Sequence, residues 1–331
     1  MRPQVSVVLP VYDDEEHVAG AIDRVLGQRD VAVELVIVDD GSPRPSPAIA
    51  AAAGDPRVTV VILPTNHGVA AARERGVREA TAPWIWFVDS DDDWPPDAAA
   101  TLLAAAEGTP GTDVVVAQAR YVFSTARPPR PVSAPTGAAA PGRDAFRWLL
   151  TGQVTGHLWN KLFRRELLLR VPFTRARVQS DLALVAQALA AAGTVAFCGD
   201  HVYDYRVRSG SIITSRPRRA ESLALIADAV EGAARRIQPP VLGTPDYRYF
   251  VARYLVLSGL KDAVQGAYAP EERARLLTVL RRRLGPAEWL ALARRRDGKR
   301  LVLAVAVRAS LPAYRRLLRL TDRRAASAGT A

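Results

Sequence analysis

One cysteine, Cys198, occurs in 331 residues. A lone thiol excludes an internal disulfide framework and fits a reducing compartment. Long apolar runs are also missing. The most apolar C-terminal stretch, residues 301–307, is far too short to cross a bilayer. The first residues, Met1-Arg2-Pro3-Gln4, lack the layout of a signal peptide. These absences predict a soluble or peripheral protein. No zinc-ligand spacing, RNA-binding aromatic motif, helix-turn-helix signature or internal repeat is present, which argues against a nucleic-acid partner. His157 and His201 have no metal-ligand company and read as structural. Lysine is nearly absent too: 3 lysines stand against 42 arginines in an alanine-rich chain. Part of that arginine excess is compositional, of the kind a GC-rich genome produces.

The net charge of +11 is concentrated in one part of the chain. Residues 1–200 hold 19 basic and 23 acidic side chains, whereas residues 201–331 hold 26 basic and 11 acidic. The C-terminal third alone should therefore face an anionic partner.

The N-terminal half alternates strand and helix signals. Val5-Ser6-Val7-Val8-Leu9-Pro10-Val11 is a buried strand stopped by proline. Residues 13–28 follow helical spacing, with acids in the first turn. A second buried strand, residues 33–38, closes on Asp39-Asp40-Gly41-Ser42. A helix over 46–53, a strand over 58–63, the turn Thr65-Asn66-His67-Gly68 and a helix to about Ala80 follow. Next comes the run Trp84-Ile85-Trp86-Phe87-Val88, and it ends in Asp89-Ser90-Asp91-Asp92-Asp93. This alternation predicts an α/β fold, a mainly parallel sheet with helices on both faces, whose ligand sits beyond the carboxyl ends of the strands. Four carboxylates within five positions repel one another unless a positive group sits between them. Mg²⁺ or Mn²⁺ fits, since such ions bind through one or two carboxylates plus substrate phosphates; a solvated acidic turn is the plain alternative. Residues 126–143 read as a mobile loop, residues 182–192 as an amphipathic helix, and residues 195–197 and 202–205 as short strands.

Four motifs in order resemble the family 2 glycosyltransferases, inverting nucleotide-sugar enzymes of the GT-A (Rossmann-like) fold. They are Val5 to Tyr12, Val38-Asp39-Asp40-Gly41-Ser42, Asn66-His67-Gly68-Val69-Ala70-Ala71-Ala72-Arg73, and Phe87-Val88-Asp89-Ser90-Asp91-Asp92. A looser likeness runs through Trp159-Asn160-Lys161-Leu162-Phe163, Ser180-Asp181 and Tyr205 to Ile212, with polysaccharide- and teichoic-acid-type members as the nearest in pattern. The resemblance implies that Pro10 and Tyr12 border the nucleobase and that Asp40, with Asp39 second, accepts its imide N–H; for this pair, helix or turn capping by an Asp-Gly-Ser turn is the alternative. It implies that Asp91 ligates the metal, with Asp89 as its partner or on the ribose. Asp92 and Asp93 would be supporting or simply exposed. Arg73 would pair with phosphate, hold the metal-binding acids, or be a plain surface arginine. Arg206, Arg208 and Ser211 resemble an element near the donor diphosphate or the acceptor; the alternation of Tyr203, Tyr205 and Val207 with Arg206 and Arg208 also reads as an ordinary edge strand with a solvated face. Asp181 is the expected catalytic base, although this chain has Ser180 where the family usually has Glu; a simple helix cap is its alternative. Lys161 and Trp159 are candidate acceptor contacts, with a surface lysine and core packing as the alternatives.

Together these features predict a metal-dependent enzyme using a nucleotide-sugar donor, most simply a UDP-sugar. The acceptor would be a hydroxyl of a cell-surface polysaccharide, glycolipid or teichoic-acid-like polymer at the cytoplasmic face. GDP- or dTDP-sugar donors, or a catalytically silent binding scaffold, are the alternatives. The expected division is 1–215 for the GT-A domain, with the nucleotide-binding half at about 1–115 and the acceptor half at about 116–215. A basic helical module over 216–324 and a disordered tail over 325–331 follow. Apolar and arginine-rich helix faces in that module suit an anionic membrane surface, an anionic polymer, or a packing and oligomerisation role; Pro312 should break or kink the run from 301 to 320.

Overall fold

The computed structural model describes residues 2–123, 127–132, 134–135, 137–207 and 218–327, with side chains of 321–327 excepted. The chain divides into two compact units, Met1–Val122 with Pro129–Val207, and Phe123–Pro128 with Arg208–Ala331.

The first unit is built on one sheet. Its parallel part is β3 (Val58–Ile62), β2 (Val33–Asp39), β1 (Val5–Val11) and β4 (Trp84–Phe87), side by side in that order. The sheet then continues antiparallel through β8 (Lys161–Arg164) and β5 (Thr112–Phe123), and on to β9 (Thr194–Val207) and β7 (Ala139–Pro141), with β6 (Arg130–Val132) on β5. The sheet is therefore mixed, and the parallel order expected from the strand–helix alternation holds through β4. All seven residues of β1 are buried, because helices cover both faces. Val5, Val7, Leu9 and Val11 share a core with Val18, Ile22 and Val25 of α1 (Glu15–Leu26). The short helix α2 (Pro47–Ala52) lies between β2 and β3 in sequence, with Ser46 capping its Ile49 N–H. On the opposite face runs α3 (Val69–Glu79), where a Cβ on Gly76 would come within 2.4 Å of Val8 Cγ1. Glycine inside a helix costs about 1 kcal/mol relative to alanine. Here it lets α3 lie against β1 and β2, and one turn earlier on that helix stands Arg73.

The acidic run leads into α4 (Ala98–Glu107), whose Ala98, Ala99, Leu102 and Leu103 join the same core. Three further helices, α5 (Gly142–Thr151), α6 (Arg165–Arg170) and α7 (Ser180–Ala191), complete the unit. Two local expectations are corrected. Residues 130–132 and 139–141 of the expected loop are edge strands, a place that tolerates their prolines. The two short strands expected at 195–197 and 202–205 are parts of one strand of 14 residues, Thr194–Val207.

The second unit is helical. It comprises α8 (Ala220–Arg236), α9 (Pro245–Phe250), a π-helical stretch at Val251–Val256, α10 (Leu257–Gln265), α11 (Pro270–Arg282), α12 (Pro286–Arg294), α13 (Gly298–Ala309) and α14 (Leu311–Ser327). Its core gathers Val256, Leu260, Leu292, Ala304, Val307 and Tyr314. Pro312 falls in the first turn of α14, where its missing N–H leaves no helical bond unmade, so the chain breaks at Ser310 as expected. No helix among the described residues is long and apolar enough to cross a membrane.

Candidate active site

The carboxyl ends of β1, β2 and β4 converge, and short polar links fix them to one another. Ser42 Oγ, after β2, accepts the Asp13 N–H after β1 at 2.9 Å. Asp39 Oδ1 accepts the Ser42 N–H at 2.8 Å. Asp40 is buried, and its two oxygens accept the N–H groups of His67 at 2.9 Å and Gly68 at 2.7 Å, which seats the turn before α3. Gly41 has φ +73°, and a Cβ there would meet the Thr65 carbonyl carbon at 2.5 Å, so only glycine lets the two loops touch. These contacts reorder the expected pair. Asp40 already spends both oxygens on backbone donors, whereas one oxygen of Asp39 is engaged in this way. Tyr12 is 51% exposed and offers a ring face to a ligand. Pro10 lies buried inside β1, where it shapes the strand.

Arg73 organises the centre. The residue is 4% exposed, and its guanidinium reaches Asp89 Oδ1 at 2.8 Å and Asp181 Oδ1 at 2.5 Å. Of the roles open to it from the sequence, holding acids is the one seen. Its Nε is buried and makes no hydrogen bond. The two carboxylates keep the guanidinium charged, outweighing the burial that would favour its neutral form. Asp181 sits in the first turn of α7, behind Gln179 in the left-handed region at φ 58°.

The acidic loop is held from one side by β9. Tyr203, with no exposed surface, accepts the Asp89 N–H at 3.0 Å and donates to Asp92 Oδ2 at 3.0 Å. The Arg206 N–H donates to Asp92 Oδ1 at 2.8 Å, and Arg206 Nη2 donates to Asp93 Oδ2 at 2.6 Å. Asp93 and Asp204 pair through their backbones. On the other side Arg24 donates to the Asp92 carbonyl at 3.1 Å and lies 5.2 Å from the Trp94 ring centroid. Asp14 accepts a hydrogen bond from Ser90 Oγ while holding His17 Nδ1 at 2.5 Å. Tyr203 lies in a column of stacked rings. His157 is 4.5 Å from Trp159, Trp159 5.0 Å from Tyr203, and Tyr203 5.7 Å from Trp94, centroid to centroid.

The electrostatics follow from this packing. Burial pushes the Asp92 carboxyl up to about 9, and the charges of Asp89 and Asp91 add to the effect. Asp89 is raised for the same first reason, against the pull of Arg73. Asp93 goes the other way: burial would raise it, but the Arg206 hydrogen bond and the Arg24 charge outweigh that. Negative charge is therefore costly at Asp89 and Asp92, a cost that a nearby divalent cation would offset. Among the described residues no group of three His, Cys, Asp or Glu is arranged to hold a metal by itself. Asp91 is half-buried and Asp89 keeps one carboxylate oxygen outside its hydrogen bond to Arg73, so their oxygens are of a kind that a cation also bound by ligand phosphates accepts.

The two proposed acceptor contacts are corrected. Trp159 is 2% exposed inside the ring column, and Lys161 has no exposed surface at all, so neither presents a face to an incoming sugar. Lys161 Nζ donates to the His157 carbonyl at 2.7 Å and Asn160 Oδ1 at 2.8 Å. Burial pushes Lys161 down to about 7 despite nearby Asp181, and pushes His157 down to about 4, with Lys161 adding to the shift. Arg206 braces the acidic loop. Arg208 and Ser211 lie outside the described residues. Reading the sequence missed Tyr203 and Arg24. The alternation of β9 marked Tyr203 only as an inward residue, and helical spacing placed Arg24 on α1 without a partner.

Comparison with known proteins gives the family and the fold. Residues 6–171 match the family model described as glycosyl transferase family 2. The succinoglycan biosynthesis protein ExoO of Rhizobium meliloti is 32% identical over 71% of this chain and 69% of its own length. The glycosyltransferase GlyG of Streptococcus pneumoniae is 28% identical over 80% of this chain and 89% of its own. Among solved structures, S. aureus TarS residues 1–349 in complex with UDP-GlcNAc superposes with a TM-score of 0.67 at 19% identity, covering 97% of this chain and 92% of that one. That likeness extends the shared fold beyond the family match.

Proposed function

The chain belongs to glycosyl transferase family 2 and is a glycosyltransferase, and on that premise we propose that it moves a sugar, with inversion, from a UDP-sugar to a hydroxyl of a bacterial surface polysaccharide or a related glycan. The observation that carries this reading is the Arg73 bridge, which sets the acidic loop and the Asp181 carboxylate on either side of one guanidinium. Donor and acceptor chemistry need those two groups within one sugar's reach.

Tyr12, exposed beside the β1 end, supplies a stacking face for the base, and Asp39 takes over from Asp40 as the acceptor for its imide N–H. Asp91 and Asp89 would hold Mg²⁺ or Mn²⁺ together with the donor diphosphate. When bound, that cation neutralises the charge developing on the leaving nucleoside diphosphate. Asp181 takes the proton of the attacking acceptor hydroxyl. Arg73 keeps the Asp181 carboxylate aimed, so positioning and proton removal depend on one residue. The acceptor class is supported by the likeness to ExoO, a succinoglycan biosynthesis protein. A UDP donor is supported by the UDP-GlcNAc complex of TarS, through the shared fold.

The test is a thermal-shift and transfer panel of UDP-, GDP- and dTDP-sugars with Mn²⁺ or Mg²⁺, since ligand binding raises apparent stability by mass action. Selective stabilisation by UDP-sugars with a cation, and release of UDP in the presence of oligosaccharide acceptors, is the expected result. Preference for GDP or dTDP would move the donor assignment. Binding without turnover for any acceptor would favour a silent scaffold, a reading for which Ser180 in place of the family's usual Glu is the one argument.

A further inference from the structure

We propose that the outward face of α13 and α14 is a docking surface for an anionic lipid bilayer. Residues 298–320 contain six basic side chains, Lys299, Arg300, Arg308, Arg315, Arg316 and Arg319, and no acidic one. Both helices are amphipathic, and their inner faces are already spent on the core of the helical unit. Ala304 and Val307 of α13 and Tyr314 and Leu318 of α14 are buried there.

The outer faces are apolar as well as basic. Val302 is 54% exposed, Val305 48% and Leu320 51%, although isolated surface helices usually present polar residues outward. At 100° per residue, Val302, Val305 and Ala309 form one strip on α13, with Lys299 on one flank and Arg308 on the other. On α14 the outward arc holds Pro312, Arg316, Arg319 and Leu320, all exposed. Arg300 is already paired with Asp297 at 2.6 Å. Lys299, Arg315, Arg316 and Arg319 make no ion pair with a carboxylate among the described residues.

An apolar strip flanked by long basic side chains is the pattern that lets valines enter the interface while cations reach lipid phosphates. Neither helix is long and apolar enough to span, so the fit is to a surface, lying flat. A soluble polyanion would be served by the arginines alone and gives no role to the exposed valines; that difference selects the bilayer. The inference does not depend on the donor or acceptor assigned above.

The experiment uses the full chain with vesicles of phosphatidylcholine, with and without phosphatidylglycerol. Co-sedimentation with the anionic vesicles at low salt, weakening as salt screens the charges, is expected. The pair Val302→Asp and Val305→Asp should reduce that binding at least tenfold, and so should the triple change Arg315→Glu, Arg316→Glu, Arg319→Glu. Both sets alter exposed side chains, and unchanged melting temperatures will show that the fold holds. Absence of binding to phosphatidylglycerol vesicles at low salt overturns the proposal. Binding that ignores the valine substitutions also overturns it, leaving simple charge attraction. A concentration-dependent dimer that the valine substitutions dissolve would make this face an interface between copies, again overturning it. Transfer to a soluble acceptor should be the same in all variants, so a failure here leaves the catalytic reading standing.

Discussion

Arg73 and Asp181 are 108 positions apart in sequence, yet they meet at 2.5 Å, and the same guanidinium also holds Asp89. The residue that steadies the proposed metal loop therefore also aims the proposed base. The proposed donor and acceptor groups thus share one guanidinium.

Asp181→Asn keeps a carbonyl oxygen for Arg73 but loses the ability to take a proton. Transfer should fall by about 10²–10⁴-fold. Donor affinity in calorimetry should stay where it is. Undiminished turnover would return Asp181 to a helix-cap role.

Arg73→Met leaves two carboxylates facing each other without a cation in a buried setting. Breaking a buried pair from one side costs about 3–5 kcal/mol. Urea denaturation should show a loss of that order. Arg73→Lys keeps the charge without the planar fork and should recover stability only in part. Equal stability in all three proteins would mean that the bridge contributes nothing to the fold.

Tyr203→Phe removes one hydroxyl and strands both the Asp89 N–H and Asp92 Oδ2. An unsatisfied buried group costs about 1–3 kcal/mol. A lower melting temperature is expected, and Mn²⁺-dependent UDP binding should weaken more than metal-free UDP binding does. A stability loss with unaltered metal dependence would reduce Tyr203 to core packing.

Asp91→Ala should abolish the cation dependence of UDP binding, while Asp93→Ala should preserve it, because Asp93 is already committed to Arg206. Calorimetry with and without Mn²⁺ separates the two. Retained cation dependence in Asp91→Ala would remove that residue from the metal seat.

Lys161 gives a pH dependence of known sign. Its folded value of about 7 lies below its ordinary value of 10.5, so the unfolded chain binds more protons between those limits. The Lys161 contribution to stability therefore rises with pH across that window, its penalty being fully present below about 7, while Asp92, raised to about 9, contributes with the opposite sign up to that value. His157, pushed from 6.5 to about 4, acts with the same sign between those values. Lys161→Met should flatten the upper slope in denaturation curves taken from pH 6.5 to 9. An unchanged slope would show that the buried amine titrates normally.

The parallel part of the sheet and the acidic loop were legible because each is written locally. A β-branched run sits beside its own terminal carboxylates, and strand ends are where such residues act. The partnership of Arg73 with Asp181 left no local trace, since nothing in α3 names a carboxylate more than 100 residues away. Lys161 looked like a surface lysine because no pattern around it announced that its amine would be enclosed by the His157 carbonyl and Asn160. That Asp40 spends both oxygens on the backbone of a separate loop, 27 and 28 residues on, left no local trace, so the adjacent Asp39 and Asp40 could not be told apart in this way from the sequence. The edge strands at 130–132 and 139–141 were hidden by their prolines, which mark loops in sequence and edges in three dimensions.

The ring column has a spectroscopic consequence. Trp94, Trp159 and Tyr203 stack face to face, Trp86 meets Trp94 and Tyr203 edge-on, and the Tyr203 hydroxyl touches two residues of the acidic loop. The indoles and the loop are thus one connected object, and paramagnetic Mn²⁺ quenches nearby indole emission where Mg²⁺ does not. Intrinsic fluorescence should therefore report cation loading directly, giving this protein an unlabelled optical gauge of its own donor site.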